Sequence, residues 1–81
     1  MSAETAGDEA QPLDLRGTPC PLNYVKTRLR LERMALGDPL EVWLDLGEPA
    51  EQVPRSLRMD GHDVAEVGGE GYLRILVRRL V

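Results

Sequence analysis

Apolar residues alternate with polar ones in some stretches of the chain and recur at helical spacing in others, and each change of period marks an element. Leu40-Glu41-Val42-Trp43-Leu44-Asp45-Leu46 alternates in part and predicts a largely buried strand, broken by Gly47. His62-Asp63-Val64-Ala65-Glu66-Val67 alternates and predicts another strand. Gly68-Gly69-Glu70-Gly71 then reads as a hairpin loop leading into a final strand, Tyr72 to Leu80. A short strand, Leu13 to Arg16, stands ahead of all three. The stretch from Pro21 to Met34 or Ala35 is rich in Leu, Arg, Lys and Glu, with no Gly or Pro after Pro21, and predicts a helix stopped by Gly37. A second helix is expected from Glu48 to Asp60, with Pro49 in its first turn and Gly61 after its end. Pro54 lies inside it and predicts a loose turn or a bend. The order is β-α-β-α-β-β. The expected fold is an α/β (α+β) two-layer sandwich, two helices on one face of a four-stranded mixed sheet.

The first helix carries two apolar stripes. Tyr24, Thr27, Leu31, Met34 and Ala35 form one, and Leu22, Val25, Leu29 and Leu36 form another, rotated away from it. Only one can lie on the sheet. The second is expected to pack against the other helix or the N-terminal segment, the alternative being a partner that docks beside Cys20.

Composition narrows the setting. Eighty-one residues make one small domain. The net charge is −4, but Glu4, Asp8 and Glu9 lie in an N-terminal stretch without a basic residue, so the remainder is close to neutral. Residues 1–11 are expected to be a disordered acidic tail ahead of a single domain over 12–81. Nothing in the bulk charge suggests direct nucleic-acid binding. No apolar run is long enough to span a bilayer, and the N-terminus lacks the basic start and apolar stretch of a signal peptide. With a single cysteine there is no internal disulfide, and a cytoplasmic protein without membrane attachment is expected.

That cysteine is the candidate chemical centre. In Leu13-Asp14-Leu15-Arg16-Gly17-Thr18-Pro19-Cys20-Pro21-Leu22-Asn23 it falls at the joint between a strand and a helix. A helix start has unpaired N–H groups and partial positive charge, a setting that favours thiolate over thiol. Pro21 suits the first helical position, and Gly17 supplies the turn. The plain alternative is a small buried hydrophobe. Arg16 is a candidate for tuning the sulfur, or else a partner for Asp14 or another acid. His62 as a general base would need a third, orienting group, and a capping or structural role is the expectation. One cysteine and one distant histidine make no zinc site, and without a second cysteine a stand-alone thiol reductase has nothing to resolve its intermediate. No metal and no cofactor are expected.

Taken together, Asp14-Leu15-Arg16-Gly17, Cys20-Pro21, a helix ending near Gly37, an acidic strand end followed by Pro49, Val53-Pro54-Arg55 and Gly61-His62 resemble the TusA-like (SirA-like) sulfur-carrier family, from Leu13 to Val81. The resemblance implies the same β-α-β-α-β-β sandwich. It implies a persulfide sulfur carrier, sulfurtransferase-like, in which Cys20 accepts sulfur from a cysteine desulfurase or similar donor protein and relays it to an acceptor protein. Such carriers serve thiouridine formation in transfer RNA, molybdenum-cofactor assembly and sulfur oxidation. Arg16, Gly17, Pro21 and Asn23 would then support the sulfur site. The family motif is usually Cys-Pro-x-Pro, and here Asn23 stands at the last position. With Cys20 as the helix cap, Asn23 would sit at the third helical position and could reach back to the cap backbone. The competing reading is a non-catalytic interaction or regulatory module on the same fold, using a first helix in which Lys26, Arg28, Arg30 and Arg33 outnumber Glu32.

Deleting residues 1–10 is expected to leave the melting temperature unchanged, because the segment lacks apolar residues able to join a core. Circular dichroism of the full and shortened chains checks this, and a large fall would show the segment to be part of the fold.

Overall fold

A computed structural model describes residues 11–81; the expected N-terminal tail lies, apart from Gln11, outside the described residues. The elements are β1 (Leu13–Asp14), α1 (Leu22–Glu32), β2 (Pro39–Asp45), α2 (Glu48–Met59), β3 (Asp63–Gly68) and β4 (Tyr72–Arg78). They form the predicted sandwich, two helices on a four-stranded mixed sheet of order β1-β2-β4-β3. β1 runs parallel to β2, while β4 is antiparallel to both β2 and β3.

β2 organises the layers. Leu40, Val42 and Leu44 are buried, and the alternate residues Glu41, Trp43 and Asp45 are half-buried on the opposite face. The register sets Leu40 against Val77 and Val42 against Ile75, so one side of the two central strands is continuously apolar. Leu31 of α1, Val53 and Leu57 of α2, and Leu15 and Met34 from the loops join them in a single core. Each such side chain, fully buried, contributes about 1.5–3 kcal/mol.

Several boundaries differ from the sequence expectations. The first strand is shorter, because Leu15 makes one last bond to β2, its N–H donating to the Trp43 carbonyl at 2.9 Å, before the chain turns at Gly17 (φ 80°). α1 ends at Glu32, not at Met34 or Ala35. The N–H groups of Arg33 and Met34 bond back only three residues, tightening the last turn. Arg79 donates to the carbonyls of Glu32 and Met34 there, closing the helix end from the far side of the chain. α2 continues unbroken through Pro54, so the loose turn is absent. The Pro54 ring is fully buried, and its packing offsets the hydrogen bond it cannot make.

Leu22, Val25, Leu29 and Leu36 of the second α1 stripe are 49%, 39%, 55% and 66% exposed, so α2 does not cover them; the expected packing against the N-terminal segment falls outside the described residues. The face turned inward carries Thr27 and Leu31 of the first stripe together with Asn23. Among the described residues no helix is long and apolar enough to cross a membrane.

The β3–β4 hairpin depends on Gly69. Its φ is +126°, and a Cβ there would lie 2.2 Å from the Tyr72 carbonyl oxygen. Gly69→Ala is therefore expected to cost at least about 2 kcal/mol of stability, from strain and displaced backbone together. Urea denaturation measures it, and a loss below about 0.5 kcal/mol, the size of an ordinary surface change, would contradict this account of the turn.

Candidate functional site

Cys20 is a free, exposed thiol on the segment joining β1 to α1. The Thr18 N–H closes a turn onto the Leu15 carbonyl at 3.0 Å, and Pro19, Cys20 and Pro21 then lead into the helix. The helix begins one residue later than expected. Pro21, not Cys20, occupies the cap, and it makes no side-chain capping bond. Cys20 thus stands one position ahead of the cap and two ahead of the first helical residue, Leu22.

Asn23 is fully buried at the second helical position. It does not reach back to the cap. Its Oδ1 accepts the N–H of the next residue, Tyr24, at 2.7 Å, and its own N–H donates to the Pro19 carbonyl at 3.2 Å. The Val25 N–H donates to the Pro21 carbonyl at 3.0 Å. Three amides at the head of α1 are therefore engaged within the chain. The Asn23 carbonyl accepts the Thr27 hydroxyl at 2.9 Å, whereas its Nδ2 is buried without a partner.

The strand end before Cys20 is anchored from the sheet face opposite the helices. Arg16 donates from Nε to Asp14 Oδ1 at 2.9 Å and from Nη2 to Oδ2 at 2.8 Å, a two-point pair. The same guanidinium lies 4.9 Å from the centre of the Trp43 ring and 4.8 Å from that of Tyr72, within cation–π range of both. Next to it the Gly17 N–H donates to Asp45 Oδ2 at 2.7 Å. The Arg16 hydrogen bonds hold the Asp14 carboxyl below its usual range, and Asp14 in turn raises the Arg16 guanidinium. Of the two readings of Arg16, the structure shows the pair with Asp14, on the segment that leads to Cys20.

Asp45, Trp43 and Tyr72 complete this anchor and are not among the site residues the sequence points to. The acidic end of β2 carried a signal for Asp45. Trp43 and Tyr72 had none, because cross-strand neighbours at ring centroids 5.5 Å apart emerge only from the β2–β4 register.

On the helix side, a cleft of about 390 Å³ runs beside α1, lined by Tyr24, Arg28, Glu32, Asp60, His62 and Arg79, among others. The Tyr24 hydroxyl donates a short bond to Asp60, which raises the phenol above its ordinary value. Arg28 pairs with Glu32 at 3.3 Å. His62 accepts the Leu80 N–H at Nδ1 over 3.4 Å, a long contact that turns it toward the C-terminal segment. The structure thus joins His62 to β4's exit and not to Cys20.

A family model described as sulfurtransferase TusA matches residues 11–79. A protein of Archaeoglobus fulgidus named "Putative sulfur carrier protein" is 39% identical over 80 residues, covering 95% of this chain and 91% of that protein. A Thermotoga maritima protein of the same name is 40% identical over 55 residues, covering 68% of this chain and 70% of its own. Among solved structures, the SirA-like protein from Desulfitobacterium hafniense superposes with a TM-score of 0.74, over 86% of this chain and 97% of that one. At 14% identity, that likeness is one of fold.

The Asp14–Arg16 pair makes a pH prediction. A carboxyl whose folded pKa is depressed contributes stability that is present above the unfolded value of about 3.9 and is lost as pH falls through the folded one. Arg16→Gln is therefore expected to be less stable than the wild type at pH 7, with the gap closing in strong acid. Urea denaturation at both pH values checks this, and a gap that stays constant would mean the ion pair contributes nothing beyond the ring contacts.

Proposed function

The chain belongs to the sulfurtransferase TusA family, and from that premise we propose that it carries sulfur as a persulfide on Cys20. The sulfur comes from a cysteine desulfurase or similar donor protein and passes to an acceptor protein. What supports this most is the exposed, unpaired Cys20 thiol at the head of α1, on a loop fastened to the sheet by Arg16 and Gly17. A carrier thiol must be reached by two partners in turn, and an exposed position on a held loop suits both encounters.

Loading is an exchange at sulfur. The Cys20 thiolate attacks the outer sulfur of the donor persulfide. A new S–S bond forms as the donor's S–S bond breaks, and the electron pair leaves on the donor cysteine, which takes up the proton Cys20 gave away. Cys20 is oxidised to the persulfide as the donor is reduced to the thiol, so no external oxidant is needed. Discharge repeats the step with Cys20 as donor. Neither step calls for a metal, a cofactor, a resolving cysteine or contact with nucleic acid. The reducing cytoplasm, where a lone thiol stays free, is the compartment that suits the cycle. The departure at Asn23 is the one observation on which a rival reading draws, an interaction or regulatory module that no longer carries sulfur.

Incubation with cysteine desulfurases and cysteine, followed by intact mass, tests the proposal. The full chain is expected to gain the mass of sulfur, and Cys20→Ser is expected to gain none while its circular dichroism spectrum stays the same. Failure of the full chain to load from several desulfurases would count against the carrier.

Asn23→Pro separates the two readings further. Proline would lose the Asn23 N–H bond to Pro19 and the side-chain bond to Tyr24, and would remove the unpartnered Nδ2. These opposed contributions are each about 1 kcal/mol, so stability is expected to change by no more than about that, with loading retained. A wild type that cannot be loaded beside an Asn23→Pro variant that can would favour the interaction module.

A further inference from the structure

The chain between β1 and α1, residues 15–21, carries Cys20 near its end. Its bonds from Thr18 to Leu15 and from Asn23 to Pro19 are local, each closing one turn. The Gly17 N–H instead reaches across 28 positions of sequence to Asp45 Oδ2, at 2.7 Å, the length of a charge-assisted bond. Gly17 is exposed, so water alone would satisfy that N–H. A carboxylate takes the place of water there, at the last residue of β2 and outside the hydrophobic core. Its charge also reaches the neighbouring Arg16 guanidinium, which lies over the Trp43 and Tyr72 rings. Gly17 holds a φ of +80°, so the chain turns there, just ahead of the thiol. A bond at this point sets the direction in which the chain leaves the sheet.

We propose that Asp45 is a positioning residue for sulfur transfer, fixing through the Gly17 N–H where the Cys20 thiol stands against a docked partner. Exchange at sulfur needs the thiolate behind the S–S bond that breaks. A small reagent meets that need from any side, because it tumbles. A docked protein cannot, so its rate depends on where the loop holds the thiol. Asp45 acts through Gly17 and not on the sulfur. Its oxygen, rather than its charge, is therefore what the reaction requires, and asparagine supplies an equivalent oxygen. The inference rests on the reading of Cys20 as the sulfur-carrying residue.

The test compares Asp45→Ala and Asp45→Asn with the wild type. It adds Val64→Ala, a core change on β3 at the far edge of the sheet, as a control for lost stability. Circular dichroism checks that each folds. In loading from a cysteine desulfurase with cysteine, Asp45→Ala is expected to lower kcat about tenfold with KM little changed, the signature of a misplaced reacting group. Asp45→Asn is expected to restore most of the rate. Loading from inorganic polysulfide, and the dependence of iodoacetamide alkylation on pH, are expected to match the wild type in both variants. An unchanged kcat for Asp45→Ala, whatever its KM, or an equal fall in Val64→Ala, would overturn the positioning role while leaving the carrier intact. Asp45→Asn as slow as Asp45→Ala would overturn it too. So would an alkylation profile shifted in both Asp45 variants, which would mean that the charge acts on the thiolate. A wild type that neither desulfurase nor polysulfide loads would instead overturn the carrier reading itself.

Discussion

The two-residue period of β2 is the constraint on which the rest of the molecule depends. One set of its side chains, Leu40, Val42 and Leu44, is the floor on which both helices rest. The alternate set includes Trp43 and Asp45, which receive Arg16 and Gly17 from the loop ahead of Cys20. A slip of one residue in this strand would turn the core face to solvent and unfasten the loop together. Fold and site are therefore not separate achievements of this chain. The register that closes the core against Ile75 and Val77 also places Tyr72 beside Trp43, where the two rings flank the guanidinium.

Cys20 is exposed, and the contacts that place it are made by the backbone segment before it. Leu15 is buried and bonded to Trp43, Arg16 is stacked and paired, and Gly17 is bonded to Asp45, three successive residues each fixed by a different force. The turn that follows has little freedom left when it reaches the thiol. Each contact is modest, since exposed ion pairs and hydrogen bonds contribute about 1 kcal/mol or less, but they act in series on one short segment.

How far the sequence discloses this differs by element. β2 and β4 are legible because a half-buried sheet imprints its period on the residues, β3 by its alternation although only Val64 is buried, and the glycines and prolines that bound the helices mark changes of direction the backbone must make. Pro54 misled because the cost of a helical proline is local and visible, whereas the burial that compensates it belongs to the tertiary structure. The inward face of α1 keeps Thr27, Leu31 and Met34 of the first stripe, but the burial of Asn23 beside them was not foreseen. Thr27 can be buried because its hydroxyl bonds the Asn23 carbonyl, and no periodicity announces that bond. Arg16 showed its charge and its neighbour Asp14, but its rings come from β2 and β4. The start of α1 shifted by one residue because the Asn23 side chain took the Tyr24 N–H, a local competition with the helix that a cap pattern does not reveal.

Asn23 also shows where the fold accepts a loss. Its Nδ2 is buried unpaired, a defect that costs about 1–3 kcal/mol in a molecule whose total margin is small. An apolar residue there would remove the cost, and the exposed Leu22 and Val25 on either side show that apolar side chains are present in this turn, aimed outward. Rotating the helix to bury them would carry Cys20, fixed to the same turn through the Asn23–Pro19 and Val25–Pro21 bonds, away from its exposed position. The polar inward face of α1 and the accessible thiol are thus two features of one helix orientation, which Leu31 in the core, the Tyr24–Asp60 bond and the Arg79 bonds to the Glu32 and Met34 carbonyls fix.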